Sequence, residues 1–242
     1  MRRPISAVTL AAASAALAAC GIHRAENAGP DTNRAFPVGN FTSIEVAGPY
    51  QVHVHTGGAP GVTVKGPQGI LDHMVVEVDG SKLEIHSKNS GLWGGIHWSS
   101  HSPVTVEVVT PALDGATIAG SGDIAVDRIT GAAFKGAVAG SGSLTLAALD
   151  VQKLKLEIAG SGDIAGAGKA NDAEYESVGS GSVNAPGIMT QTLKVSIAGS
   201  GDVTAQSSGT AELRIMGSGD VTVTGGAKCT VSKMGSGSAH CS

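Results

Sequence analysis

The stretch Leu154-Lys155-Leu156-Glu157-Ile158-Ala159-Gly160-Ser161-Gly162-Asp163-Ile164 decides the fold of this chain. Its first five residues alternate apolar and charged, the two-residue period of a strand with one face buried. A Gly-Ser-Gly triplet follows, then an acidic residue, then a second short apolar step. The same arrangement returns at Leu193-Lys194-Val195-Ser196-Ile197, ahead of Gly199-Ser200-Gly201-Asp202-Val203. Gly-Ser-Gly occurs seven times, with first glycines at Gly120, Gly140, Gly160, Gly179, Gly199, Gly217 and Gly235, in steps of 20, 20, 19, 20, 18 and 18 residues. Compositional drift would not hold that step, so the triplet marks a structural repeat. Each repeat reads as strand, sharp corner, strand.

Units this short cannot bury an apolar face alone and must stack. A step of 18–20 residues fits one coil of an all-β fold, a right-handed parallel β-helix or β-solenoid, with coils about 4.8 Å apart. A propeller blade needs about 40 residues and four strands, and no doubled period is present. Glycine has no Cβ and reaches positive φ, so a Gly-Ser-Gly corner can turn sharply and sit directly over the corner beneath it. The next position then forms a column of Asp123, Ser143, Asp163, Ser182, Asp202, Asp220 and Ser238, with Asp202 and Asp220 on adjacent coils. Upstream, residues 41–111 carry strand patterns without the triplet, among them Val52-His53-Val54-His55 and Leu83-Glu84-Ile85, and Asp79-Gly80 marks a local hairpin. This part is expected to cap the solenoid's first end. Residues 87–102, with Trp93, His97, Trp98 and His101 among Gly and Ser, read as an inserted loop.

The N-terminus supplies an address. Arg2 and Arg3 precede an apolar run at residues 5–19 that is too short to span a bilayer, as in a secretory signal. Leu17-Ala18-Ala19-Cys20 resembles a bacterial lipobox, which makes Cys20 the lipidation site and residues 1–19 a lipoprotein signal peptide. Residues 20–40, with Gly29-Pro30-Asp31 and Pro37, read as a lipidated flexible tether ahead of one domain at 41–242, its repeat coils at 112–242. Gly21 after the cysteine favours an outer-membrane lipoprotein facing the periplasm or the cell surface. Removal of the signal leaves 14 basic and 20 acidic residues, so the membrane is reached through lipid and not through charge, and the basic footprint of a nucleic-acid binder is missing.

These features together resemble the head GIN domain family, also described as "putative auto-transporter adhesins". The likeness lies in Phe41-Thr42-Ser43-Ile44-Glu45-Val46, in Leu83-Glu84-Ile85, in the strand ending at Pro111, and in the repeated Gly-Ser-Gly-Asp or Gly-Ser-Gly-Ser before an aliphatic residue. The resemblance implies an exported β-helical domain, often on lipoproteins.

Catalysis is weakly signalled. Asp202 and Asp220 fall at about the 5 Å separation that retaining glycosidases use, but such carboxylates flank a cleft with aromatic platforms. Residues 112–242 hold one Phe, one Tyr and no Trp. Calcium would need 6–8 oxygen ligands, most of which the Asp column leaves to water. His53, His55, His97 and His101 lack acidic or thiol ligands at matching spacing, so neither a metal nor another cofactor is expected. Trp93 and Trp98 are candidate ligand contacts, since indoles stack on sugar rings and anchor partner surfaces. Cys229 and Cys241 are a candidate disulfide in an oxidising compartment, although they fall on different arms of one coil. The expected function is a non-enzymatic binding or adhesion-like module for polysaccharide or surface protein, with a structural envelope spacer or a carbohydrate-active enzyme as alternatives. Exposed solenoid ends invite end-to-end association.

Overall fold

The computed structural model describes residues 29–88 and 103–242. The chain runs through β1 (Asp31–Phe36), β2 (Ser43–Ala47), β3 (Tyr50–Thr56), β4 (Gly61–Pro67), α1 (Gln68–Asp72), β5 (Met74–Asp79), β6 (Lys82–Ser87) and β7 (Val104–Thr110). The repeat region follows as β8 (Gly115–Gly120), β9 (Asp123–Val126), β10 (Ile129–Gly140), β11 (Ser143–Gly160), β12 (Asp163–Gly179), β13 (Val183–Gly199), β14 (Val203–Gly217), β15 (Val221–Thr224), β16 (Lys228–Gly235) and β17 (Ala239–Cys241). All pairings from β8 onward are parallel, and they set the first glycine of each triplet opposite that of the next, from Gly120 through Gly235. The seven bends lie in one line, and the expected β-helix is the fold.

The corner works by close approach. Every first glycine of a triplet has positive φ, from 122 to 141°. A Cβ built on Gly199 would stand 2.0 Å from the carbonyl oxygen of Gly179. That space is used for hydrogen bonds: Ser161 N and Gly162 N both donate to Gly140 O, at 2.8 and 3.0 Å, and Ser200 N donates to Gly179 O at 2.8 Å. Buried columns line the interior, as in Ile118, Val138, Ile158, Ser177, Ile197 and Ile215, where the Ser177 hydroxyl donates to Gly181 O at 2.8 Å. Size is balanced within the core, because Gly136 leaves room for Leu144 and Leu156, and Tyr175 is flanked by Ala173.

The coils built by the long strands have three sides, where the repeat pattern showed two. β11 is 18 residues long and carries Leu149 and Val151 on a further side before Leu154 begins the next. Register shifts fall on that further side, between Leu146 and Leu149 and between Ala185 and Met189. The change from 20 to 18 residues per coil is absorbed there, away from the glycine corner.

The first third of the chain does more than cap. β2 and β3 form a coil of the solenoid, with β6 and β7 parallel on one side and β8 and β9 parallel on the other. Stack order therefore departs from chain order. Gly48 is the corner of this coil, at φ 142°, and a Cβ on Gly122 would meet its carbonyl oxygen at 2.4 Å. Residues 111–114 carry the chain from β7 past this coil to β8, held by Asp114 N to Thr42 O at 2.7 Å and Thr110 Oγ1 to Phe41 O at 3.0 Å. β5 pairs antiparallel with β6 through the Gly80-Ser81 turn, the hairpin that Asp79-Gly80 announced.

Residues 20–40 were expected to be a tether throughout, but Asp31–Phe36 form β1, antiparallel to β4. An open strand edge accounts for this, since β4 is bonded on its other side to β7 and would leave N–H and C=O groups unpaired. Arg34 secures the strand, with Nη1 donating to Leu71 O at 2.8 Å and Nη2 to Asp72 Oδ1 at 2.6 Å.

Candidate functional site

The residues singled out as possible chemistry occupy different parts of the surface. In the corner column each aspartate carboxylate reaches the coil above. Asp123 Oδ1 accepts from Ser143 N at 3.0 Å, Asp163 Oδ1 from Ser182 N at 3.1 Å, and Asp202 Oδ1 from Asp220 N at 2.9 Å. Asp220 Oδ1 accepts from both the backbone N and the hydroxyl of Ser238, each at 2.8 Å. The hydroxyl and the amide hold the Asp220 carboxyl below the usual carboxylate range. A general acid for glycoside cleavage must be held protonated near neutral pH, and Asp220 is displaced the other way. The column is thus a set of inter-coil clamps.

His55 bridges three strands, with Nε2 3.1 Å from Glu107 Oε2 on β7 and Nδ1 3.4 Å from Asp127 Oδ2 just after β9. Acidic partners absent from its sequence neighbourhood are supplied by stacking. Glu77, Glu84 and His86 also gather, their ligand atoms within 4.8 Å of one another. Sequence reasoning missed this group, and its signal was the outward alternation Lys82, Glu84, His86 opposite Glu77 in the hairpin. Lys82 Nζ already holds Glu84 and Glu45 at 2.7 Å each, which raises the lysine and lowers the Glu84 carboxyl from their ordinary values. Cys229 and Cys241 are bonded, with Cα atoms 6.7 Å apart, across the arms of the last coil. Trp93, His97, Trp98, His101 and Cys20 lie outside the described residues.

The outward side of the sheet that leads into the corners carries charge in register. One column runs Lys135, Lys155, Glu174, Lys194, Glu212, and the next Ala137, Glu157, Glu176, Ser196, Arg214. Neighbouring coils exchange charge: Lys135 Nζ lies 2.7 Å from Glu157, and Lys155 lies 3.0 Å from Glu157 and 3.4 Å from Glu176. Partial burial pushes the Glu157 carboxyl up, but hydrogen bonds from Lys135 and Lys155 outweigh it and bring the group below its ordinary value. Lys153 and Lys194 make no ion pair among the described residues. With Lys135 and Lys155 they rim a shallow open groove of about 790 Å3 whose buried lining is Phe134, Leu154 and Ala173.

The sequence profile of the family described as "Putative auto-transporter adhesin, head GIN domain" matches residues 40–227. The chain belongs to this family. Among solved structures, a putative adhesin from Bacteroides fragilis superposes with a TM-score of 0.82 at 22% identity, covering 88% of this chain and 97% of that one. A putative lipid binding protein from Parabacteroides distasonis gives 0.72 at 22% identity, with 88% and 97% covered. A putative adhesin from Parabacteroides merdae gives 0.70 at 16% identity, with 89% and 98% covered. At these identities the likeness is one of fold. No curated protein matches the chain. Among the described residues no helix of this family member is long and apolar enough to cross a membrane.

Proposed function

We propose that this head GIN protein is a lipid-anchored, non-enzymatic component of the cell envelope, held through Cys20, whose β-helix binds an envelope polysaccharide or a surface protein. The carrying observation is the charged sheet face, where lysines and glutamates repeat in register over successive coils beside an open groove. Such a surface matches an extended ligand, which meets the same groups again at each coil, better than a small substrate, which needs an enclosing pocket. Membership of an adhesin family supports the same reading. Metabolic labelling with a fatty acid tests the anchor: the label is expected on the wild-type chain and lost in Cys20→Ser. Purified envelope polysaccharides and surface proteins, measured against the immobilised chain, test the face. Lys153→Glu at the groove is expected to weaken binding at least tenfold, and unchanged affinity would refute the groove's part in it.

A further inference from the structure

Beside the corner glycines, the charged face ends in an outward column of Ala139, Ala159, Val178, Ala198, Met216 and Met234, one residue per coil. Val178, Met216 and Met234 are 59%, 55% and 76% exposed, three of the five large apolar side chains left in solvent among the described residues. Their confinement to one column at the margin of one face points to a partner for that face.

We propose that this face pairs with the same face of a second copy, the two solenoids antiparallel about a two-fold axis between the Val178 and Ala198 coils. The proposal rests on the reading of this face as a binding surface and names its partner. A two-fold axis in the plane of the face and perpendicular to the solenoid lays each column on its own copy with the coil order reversed. Val178 then meets Ala198 of the second copy, Ala159 meets Met216 and Ala139 meets Met234, so every large side chain faces a smaller one. In the adjoining columns Glu157 meets Arg214, Glu174 meets Lys194 and Lys155 meets Glu212, all opposite in charge. Moving the axis half a coil towards the N-terminal end sets Lys155 against Lys194. Moving it half a coil the other way sets Glu174 against Glu212. Only the central register joins size matching to charge matching, and the neighbouring ones are penalised by like charges. Six coils by three columns give a contact of roughly 29 Å by 20 Å, about 600 Å2 per copy at strand spacings. That is somewhat below the roughly 800 Å2 per partner of a standard interface and suits a reversible dimer.

Sedimentation velocity of the purified chain over a range of concentrations should show a monomer–dimer equilibrium. Glu157→Arg and Arg214→Glu, each alone, should weaken the dimer at least tenfold, because each puts like charges together at two symmetry-related contacts. Mixing the two variants should restore the dimer, since every such contact in the mixed pair again joins an acid to a base. Thermal melts of the single variants control for folding. A chain carrying both Ala159→Cys and Met216→Cys should oxidise to a covalent dimer, because within one chain these positions are three coils, about 14 Å, apart and cannot bond. A chain that stays monomeric throughout, or variants that fail to complement one another, would overturn the dimer. If polysaccharide binding survived in such a chain, the broader reading of the face would still stand; if binding were absent as well, both would fall.

Discussion

The coils from β8 onward and the N-terminal region of β1 to β7, which is the β2–β3 coil with its cap, solve one problem, seating each strand at hydrogen-bonding distance from the next, in two ways. In the coils, sequence identity does it: the same Gly-Ser-Gly is placed over itself, and a carbonyl such as Gly140 O takes two amide donors from the coil above. In the cap there is no repeated triplet. Strands there pair both parallel and antiparallel, and side-chain clamps such as Arg34 to Leu71 O and Asp72 finish the edge. A repeat leaves no slack at its corner, whereas a heterogeneous cap can spread a change over many unlike contacts.

Equivalent substitutions in the two regions should differ several-fold in cost. Gly199→Ala adds a Cβ 2.0 Å from the Gly179 carbonyl oxygen at φ 141°. Both the contact and the backbone strain oppose it, and a loss of about 4 kcal/mol is expected in denaturant unfolding. Gly80→Ala in the cap hairpin also meets positive φ, at +60°, but nothing lies within 4 Å. Only the left-handed backbone penalty of about 1 kcal/mol remains. Equal losses at the two sites would show that the corner carbonyls can move aside.

How much could be read in advance follows the same division. The triplet step disclosed the coil, its length and the line of corners, because a period survives without knowledge of any contact. The place of β2 and β3 between later strands was not legible. Gly48 there is followed by Pro49 and Tyr50 in place of Ser and Gly, so the corner has no local signature. β1 was missed because its partner β4 lies some thirty residues on, and an isolated hexapeptide without alternating apolar residues carries no sign of that edge. Among the candidate sites, the reach of Asp220 to Ser238 is implicit in the register once coils are stacked. The meeting of His55 with Glu107 and Asp127 depends on the rearranged stack order and could not be found from spacing.

Inside the coils, Tyr175 departs from the aliphatic packing. It lies in its column between Leu156 and Val195 of the adjoining coils, and its hydroxyl is buried with no hydrogen-bond partner. Burial also pushes the phenol above its usual pKa, so the group stays neutral and uncompensated. Tyr175→Phe keeps the ring and removes the unpaired group. It should stabilise the protein by about 1 kcal/mol, a rise of roughly 2–4 °C in Tm for a chain of this size. A lower Tm would mean that the hydroxyl is satisfied in solution.

The smallest expected effect is the acid response of the corner clamps. Asp220 has its pKa lowered in the folded chain by the Ser238 hydroxyl and amide, whereas in the unfolded chain the carboxyl titrates at its ordinary value. A depressed folded pKa means that the unfolded state binds the proton more readily. The clamp's contribution is therefore fully present above the ordinary carboxylate pKa of about 3.9 and is lost as pH falls through the folded value. The carboxylate is solvent-exposed, so the contribution is screened and small. Asp220→Asn should leave a chain whose Tm at neutral pH is slightly lower and whose further loss of Tm on acidification is shallower than that of the wild type. Asp72→Asn, at the edge of the cap, removes a carboxylate that clamps Arg34 within one sheet edge and not a corner to the coil above it. A steeper acid dependence in Asp220→Asn than in the wild type would contradict the clamp, because it would require the native carboxyl to be protonated more easily than the unfolded one.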